Sequence, residues 1–197
     1  MKIAVIGTGN IGGTLGAKWQ AAGHEVTYGS RQAGGDGAGA PQEGPGGAPL
    51  RSIGAAVADA DVVVLAIPGQ AVTSVVAEHG TALDGKVVVD AANRMGASHT
   101  DSQEAIRTCG PRVQYVRAFN IYGWENFADP RPGTTLFFAA DPAAREAAEE
   151  LITAVGLEPA YVGDADATGT VNGLMPVWFA LVQQHGGERR VALRLVD

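Results

Sequence analysis

Lys2-Ile3-Ala4-Val5-Ile6-Gly7-Thr8-Gly9-Asn10-Ile11-Gly12-Gly13 opens the chain and decides its fold. Lys2 to Ile6 is a short apolar run rich in β-branched residues, it stops at a glycine, and from Asn10 to Ala22 the pattern is that of a helix former. The expectation is strand, tight turn, helix. The spacing Gly7-x-Gly9-x-x-Gly12 gives each glycine of the turn a mechanical task. Gly7 lets the chain reverse, Gly9 lets a pyrophosphate approach bare backbone, and Gly12 lets the helix pack closely on the strand. Phosphates placed there meet the free N–H groups and positive dipole end of the helix. With 28 glycines in 197 residues such a spacing also arises by chance, so context decides. A strand precedes it, a helix follows it, and a second strand, Glu25 to Tyr28, comes at the right distance. The stretch reads as a dinucleotide-binding turn.

The end of the second strand selects the dinucleotide. NAD enzymes place Asp or Glu there for the adenosine ribose, whereas a cation there meets the 2′-phosphate of NADP. This chain reads Tyr28-Gly29-Ser30-Arg31, with no carboxylate. A guanidinium grips phosphate with a planar fork of donors, and Ser30 adds a hydroxyl. The reading is NADP(H).

A chain of 197 residues that is 46% hydrophobic has enough apolar surface for one real core. Fourteen basic against 21 acidic residues give a net charge of −7, which argues against nucleic-acid backbone or an anionic membrane as partner. A single cysteine, Cys109, allows neither an internal disulfide nor a Cys-rich metal site, so no metal is expected and a reducing, cytoplasmic setting fits. The apolar N-terminus is too short for a signal peptide or a membrane span.

Ala33 to Pro49 is seventeen residues, fourteen of them Gly, Ala or Pro, and is expected to be a mobile surface loop. Arg51 to Ala58 reads as a short helix, and Asp61 to Ile67 as a strand buried on both faces of a parallel sheet, ended by Pro68-Gly69. A helix over Gln70–His79, a strand over Lys86–Val89 and an irregular segment from Asp90 to Gly96 follow. Thr100 or Asp101 starts the next helix, with Gln103 or Glu104 completing a capping box. Val113–Ala118 is a strand, Thr134–Ala139 another, and Asp141-Pro142 opens a helix that Gly156 closes. Glu158–Val162 is the last strand, and a last helix is expected from Pro176, striped by Leu174, Trp178, Leu181 and Val182 as core or subunit contact. Val191 to Leu195 forms a terminal strand or tail. This alternation predicts an α/β fold with a doubly wound, mainly parallel sheet of the Rossmann type, carrying a C-terminal helix and tail. In such a sheet the ligand lies outside the carboxyl ends of the strands, which selects the loops at Thr8, Ser30, Ile67-Pro68, Ala91–Asn93 and Phe119–Tyr122.

Taken in order, Ile3–Gly12, Gly29-Ser30-Arg31, Ala66-Ile67-Pro68, Arg117-Ala118-Phe119-Asn120 and the closing helix with Gly186-Gly187 and Arg194-Leu195 resemble the NADPH-dependent reductases of the deazaflavin coenzyme F420. The resemblance implies one domain over 1–197, with 164–197 as a helical and tail segment closing the substrate cleft, and a homodimer. It implies that Gly7, Thr8, Gly9, Asn10, Ile11, Gly12, Ser30 and Arg31 hold NADP(H), that Ala66, Ile67, Pro68 and Asn93 flank its riboses, and that F420 is the co-substrate.

Three features depart from the family pattern: Asp36 in the loop after Arg31, the basic tail Glu188-Arg189-Arg190, and the aromatics Tyr122 and Trp124. They place a reductase of a small ketone or imine, and a non-catalytic NADP-sensing module, beside the first reading. Hydride transfer between two stacked planar rings needs no obligatory side-chain acid, whereas carbonyl reduction favours a positioned donor. No Tyr-x-x-x-Lys pair is present; the candidates are Tyr122 and His185 as donors and Asn120 to orient a carboxamide or a carbonyl.

Overall fold

The computed structural model describes residues 1–33, 42–93 and 100–196. The first half of the chain holds β1 (Lys2–Ile6), α1 (Asn10–Ala21), β2 (Glu25–Gly29), β3 (Gln42–Glu43), β4 (Pro49–Arg51), α2 (Ile53–Ala58), β5 (Val62–Leu65), α3 (Gly69–His79) and β6 (Val87–Asp90). The second half holds α4 (Thr100–Arg107), β7 (Gln114–Arg117), α5 (Glu125–Ala128), β8 (Thr135–Ala140), α6 (Arg145–Val155), β9 (Glu158–Gly163) and α7 (Thr168–Gln184). Among the described residues these strands form one sheet in the order β3-β4-β2-β1-β5-β6-β7-β8-β9. Pairing is parallel except at β3–β4 and β7–β8. This is the expected doubly wound, mainly parallel α/β sheet.

The apolar runs fill its centre because both faces are covered. Alternate residues of one strand serve opposite cores. Ile3, Val5, Val62 and Val64 join Leu15 and Trp19 of α1, Leu151 of α6 and Trp178 of α7 on one face. Ala4, Ile6, Val63 and Leu65 join Ile53 of α2, Val72 of α3 and Ile106 of α4 on the other. Strand order reverses at β1, which has β2 on one side and β5 on the other. The turn after β1 and the turn after β5 therefore open into the same crevice.

Close backbone approach fixes that crevice. Gly7 has φ 111°, and a Cβ on it would collide with the Ala66 carbonyl oxygen. A Cβ on Gly12 would run into the Gly7 carbonyl oxygen and come within 3.2 Å of Val5 Cγ1, so α1 sits directly on the turn that feeds it.

Three expectations are corrected. The Gly/Ala/Pro-rich stretch is not loop throughout: β3 and β4 form a small antiparallel edge around a 3₁₀ turn at Pro45–Gly47, and Ala48 is buried. Its small residues allow the packing, since Gly44 lies against the Tyr28 ring and Pro45 against Gly13. Residues 34–41, with Asp36, lie outside the described residues, as do Arg94-Met95-Gly96. Arg51, expected to begin a helix, ends β4, and Ser52 caps α2 through its hydroxyl, which accepts from Ala55 N. The last helix begins at Thr168 rather than at Pro176, which lies inside it. A proline there cannot donate to the carbonyl of Asn172, but packing of Val171, Trp178 and Val182 into the core carries the helix through.

The start of α4 lies next to residues that are not described, and Gln103, expected in a capping box, donates through Nε2 to the Ala165 carbonyl at 2.7 Å. The terminal segment is a tail rather than a strand: Leu195 N donates to Thr135 Oγ1 and Thr135 N to the Leu193 carbonyl. No helix among the described residues is long and apolar enough to cross a membrane. Replacing Gly12 with Ala should overpack the α1–β1 contact by about 1–3 kcal/mol, lowering the melting temperature in a thermal scan. A Gly9→Ala control, where nothing lies within 4 Å of the added carbon, should change it little.

Candidate functional site

The strand ends open into two cavities of about 550 and 430 Å³ that share Ile67 and Pro68. Gly7, Thr8, Ser30 and Arg31 line the larger one together with Gln70 and Ser74. Gly9, Asn10, Ile11, Ala66, Asn93, Asn120 and Tyr122 line the smaller one. Of the residues expected to hold cofactor, Gly12 alone lines neither cavity, because its task is the backbone contact beneath the turn.

The first cavity is shaped for an anion with a charged ribose end. Helix α1 begins after Gly9 with no side-chain cap, so the N–H groups of its first turn face the crevice without an internal partner. Nothing lies within 4 Å of a Cβ built on Gly9, which leaves the approach to that backbone open. At the end of β2, Ser30 Oγ accepts from Gln32 N at 3.1 Å, leaving its hydroxyl proton for a ligand, and Arg31 is exposed. Among the described residues none that lines this cavity is Asp or Glu. β4 pairs with β2 so that Arg51 stands opposite Gly29, and its carbonyl accepts from Ser30 N at 3.0 Å, which fixes the backbone of the strand end that carries Ser30 and Arg31.

Behind the second cavity lies a buried polar network. Arg117, with no exposed surface, makes an ion pair with the equally buried Asp90 at 3.1 Å, from the register position facing it across β6 and β7. Its guanidinium also donates to the carbonyls of Asp90 (2.9 Å) and Ala92 (2.7 Å), to Asn93 Oδ1 (3.2 Å) and to Asn172 Oδ1 of α7 (2.7 Å). Tyr115 donates to Asp90 Oδ2 at 3.2 Å, and burial, with the Asp90 charge next, holds its hydroxyl well above the ordinary tyrosine range. Asn93 in turn donates to the Asn120 carbonyl at 2.6 Å, and Asn120 Nδ2 to Asn172 Oδ1 at 3.2 Å.

The backbone reaches this arrangement through a left-handed residue, Phe119, with φ 61°. That conformation is costly for an aromatic residue and is held by edge-on packing against Trp19 and Phe127, each with centroids 5.7 Å away. The signal for the network was a lone arginine in an apolar strand and an aspartate ending another. Asn172, Met175 and Phe179 gave no signal, because the helix meets the cleft only in the folded chain, whereas Arg189 was visible as part of the basic tail.

Of the proton-donor candidates, Tyr122 lines the second cavity but its hydroxyl is engaged: it donates to the Thr135 carbonyl (2.8 Å) and accepts from Leu193 N (3.1 Å). Burial pushes it up to about 12. His185 is exposed at the end of α7, with Nδ1 2.8 Å from the Leu181 carbonyl, and lines neither cavity. Asn120 is buried and lines the second cavity. Cys109 is held by a bond to the Ala105 carbonyl, and burial pushes its thiol up. Among the described residues no group of three or more His, Cys, Asp or Glu is arranged to hold a metal ion.

Tyr28, also buried and pushed up to about 12, titrates with Tyr122. Both phenols are neutral in the folded protein, so their contribution to stability is complete below the ordinary value of 10.0 and is lost as pH rises towards 12. Stability measured against denaturant should therefore fall across that interval, and a Tyr28→Phe, Tyr122→Phe double variant should show a shallower fall.

Residues 2–94 match the sequence profile of the family described as NADP oxidoreductase, coenzyme F420-dependent. An Arthrobacter protein provisionally described as an F420-dependent NADP reductase is 27% identical, with 100% of each chain covered and a TM-score of 0.83. A hypothetical protein of Sinorhizobium meliloti is 24% identical over 100% of this chain and 96% of its own, with a TM-score of 0.71, and shares the fold. A reductive aminase of Aspergillus terreus, solved with NADPH and ethyl-5-oxohexanoate, shares the fold at 17% identity and a TM-score of 0.72; 94% of this chain covers 62% of that one. The phosphate-facing turn, the cationic end of β2 and the match over residues 2–94 mark the chain as an NADP-dependent oxidoreductase whose first half is similar to the coenzyme F420-dependent family.

Proposed function

We propose that the protein moves hydride between NADP(H) in the crevice and the deazaflavin F420 in the second cavity. The observation that carries this reading is a cavity with aromatic walls and, among the described residues, no free side-chain acid. Trp124, Trp178, Phe179 and Phe119 line it, and the one phenol among its lining residues, Tyr122, is tied at both its proton and its oxygen. Such walls suit a flat ring, and transfer between two flat rings draws its rate from positioning. Reduction of a ketone leaves an alkoxide to protonate, and among the described residues the second cavity offers no matching donor.

The chain's own residues then divide the work. The first turn of α1 would hold the pyrophosphate, Ser30 and Arg31 would hold the 2′-phosphate, and Ile67-Pro68 lies between the two cavities. NADPH supplies the hydride, F420 receives it, and solvent provides the accompanying proton. The C-terminal segment closes the cleft through Trp178 and Arg189.

Mixing the purified protein with NADPH and F420 should consume NADPH in step with F420 reduction. Turnover with a cyclic imine or ketone and none with F420 would replace this reading by the small-substrate reductase, and tight NADPH binding with no turnover would leave an NADP sensor. Arg31→Ala should weaken NADPH by about ten- to a hundredfold, the worth of hydrogen bonds to a charged group, and leave NADH nearly unchanged. Equal losses for both nucleotides would remove Arg31 from the 2′-phosphate.

A further inference from the structure

Among the described residues that line the second cavity, Arg189 is the one that carries a charge. We propose that it is the specificity residue of that cavity and receives a phosphate or carboxylate carried by the second substrate. The inference rests on the second cavity taking the second substrate.

Its neighbours fix where the guanidinium stands. Nε donates to Glu125 Oε1 at 2.7 Å, the guanidinium carbon lies 5.4 Å from the centroid of the Trp178 ring, and a Cβ built on Gly123 would come within 2.7 Å of Nη2. Trp178 and Gly123 both line the cavity, so the head group is set against its wall. A guanidinium has several N–H donors and no acceptor, and Glu125 takes the one at Nε. Neither Nη1 nor Nη2 has a hydrogen-bond partner among the described residues. The side chain is 46% exposed and lines the cavity, so a ligand there can meet donors that the protein leaves unused.

Glu125 does not cancel this charge as the cavity meets it. It is not among the lining residues, and its second oxygen, Oε2, is buried without a partner. The carboxylate holds one end of the guanidinium and leaves the Nη pair, whose spacing matches the two oxygens of a carboxylate or a phosphate. A protein of net charge −7 repels anions in general, so a cation at this wall acts locally, on what already sits in the cavity. If Arg189 served the tail alone, charge on the substrate would be immaterial.

Dissociation constants measured on protein saturated with NADP+ for two matched pairs read this out. One pair is F420 and 8-hydroxy-5-deazariboflavin, the same ring without phosphate or carboxylate; the other is 5-oxohexanoate and its uncharged ethyl ester. The anionic member of at least one pair should bind about tenfold tighter than its neutral partner. Arg189→Gln should abolish that preference and leave NADPH bound as before. Glu125→Gln, which keeps an oxygen for Nε but removes the opposing charge, should enlarge it, whereas a purely structural ion pair predicts the same loss from both variants.

Binding of F420 and its neutral ring alike, or a preference that survives Arg189→Gln, would overturn the anion role and leave the F420 reading standing. Preference for 5-oxohexanoate with no binding of either deazaflavin would keep the anion role and replace F420 by a small oxoacid. Equal or absent binding within both pairs would overturn the role of Arg189 outright. A loss of NADPH affinity in Arg189→Gln would move the guanidinium to the pyrophosphate of the nucleotide and overturn it too.

Discussion

The site depends on a cation that never meets water. Burying a guanidinium and a carboxylate costs several kcal/mol per ion, and their mutual attraction repays this only when the remaining donors and lone pairs are also met. Arg117 and Asp90 satisfy that condition by recruiting the backbone of β6, the loop after it, and α7. The pair therefore does more than join two strands. It forces the carbonyls of Asp90 and Ala92 and the amides of Asn93 and Asn172 into one arrangement, and the cleft wall inherits their orientation. An apolar pair of the same volume would pack β6 against β7 equally well and would leave those amides free to turn.

On the opposite side of the crevice the constraint is steric. Gly7 and Gly12 let the α1 turn close on itself until no Cβ fits, which points the first N–H groups of the helix at open space above Gly9. One wall is thus a surface of helix N–H groups without an internal partner, and the other a network of oriented amides. Ile67 and Pro68, common to both cavities, are the pivot between them.

The C-terminal segment joins this framework from outside. Trp178 Nε1 donates to the Val191 carbonyl at 2.7 Å, Asn126 Nδ2 to the Arg189 carbonyl at 2.7 Å, and Arg189 pairs with Glu125 at 2.7 Å while lying over the Trp178 ring. Exposed ion pairs of this kind contribute little to stability individually. Their effect is to hold the tail against α5 and α7, so that Tyr122, bonded to Leu193, becomes a strut for the tail. That use of the phenol removes it from proton transfer and leaves the cavity to aromatic surface.

Much of this was legible in the residues themselves. Gly7, Gly9 and Gly12 between a β-branched run and a helix former, and Ser30-Arg31 in place of a carboxylate, specify the sheet, the switch point and the nucleotide, because strand period, glycine sterics and charge are local properties. The loop after Arg31 was misread because composition reports the cost of ordering a Gly/Pro stretch and not the groove beside Tyr28 that accepts it. Likewise Pro176 signalled a helix start only because the packing of Val171 and Trp178 on both sides of it was invisible. Arg117 and Asp90 are visible in the sequence as charges in apolar strands, but their pairing is a matter of register between β6 and β7. What the sequence determined by itself was the fold and the NADP(H) cofactor; what only the tertiary structure decided was the orientation of the amides beside the second cavity, since hydrogen-bond direction between Arg117, Asn172 and Asn120 exists only once strands 27 residues apart and a distant helix share one buried space.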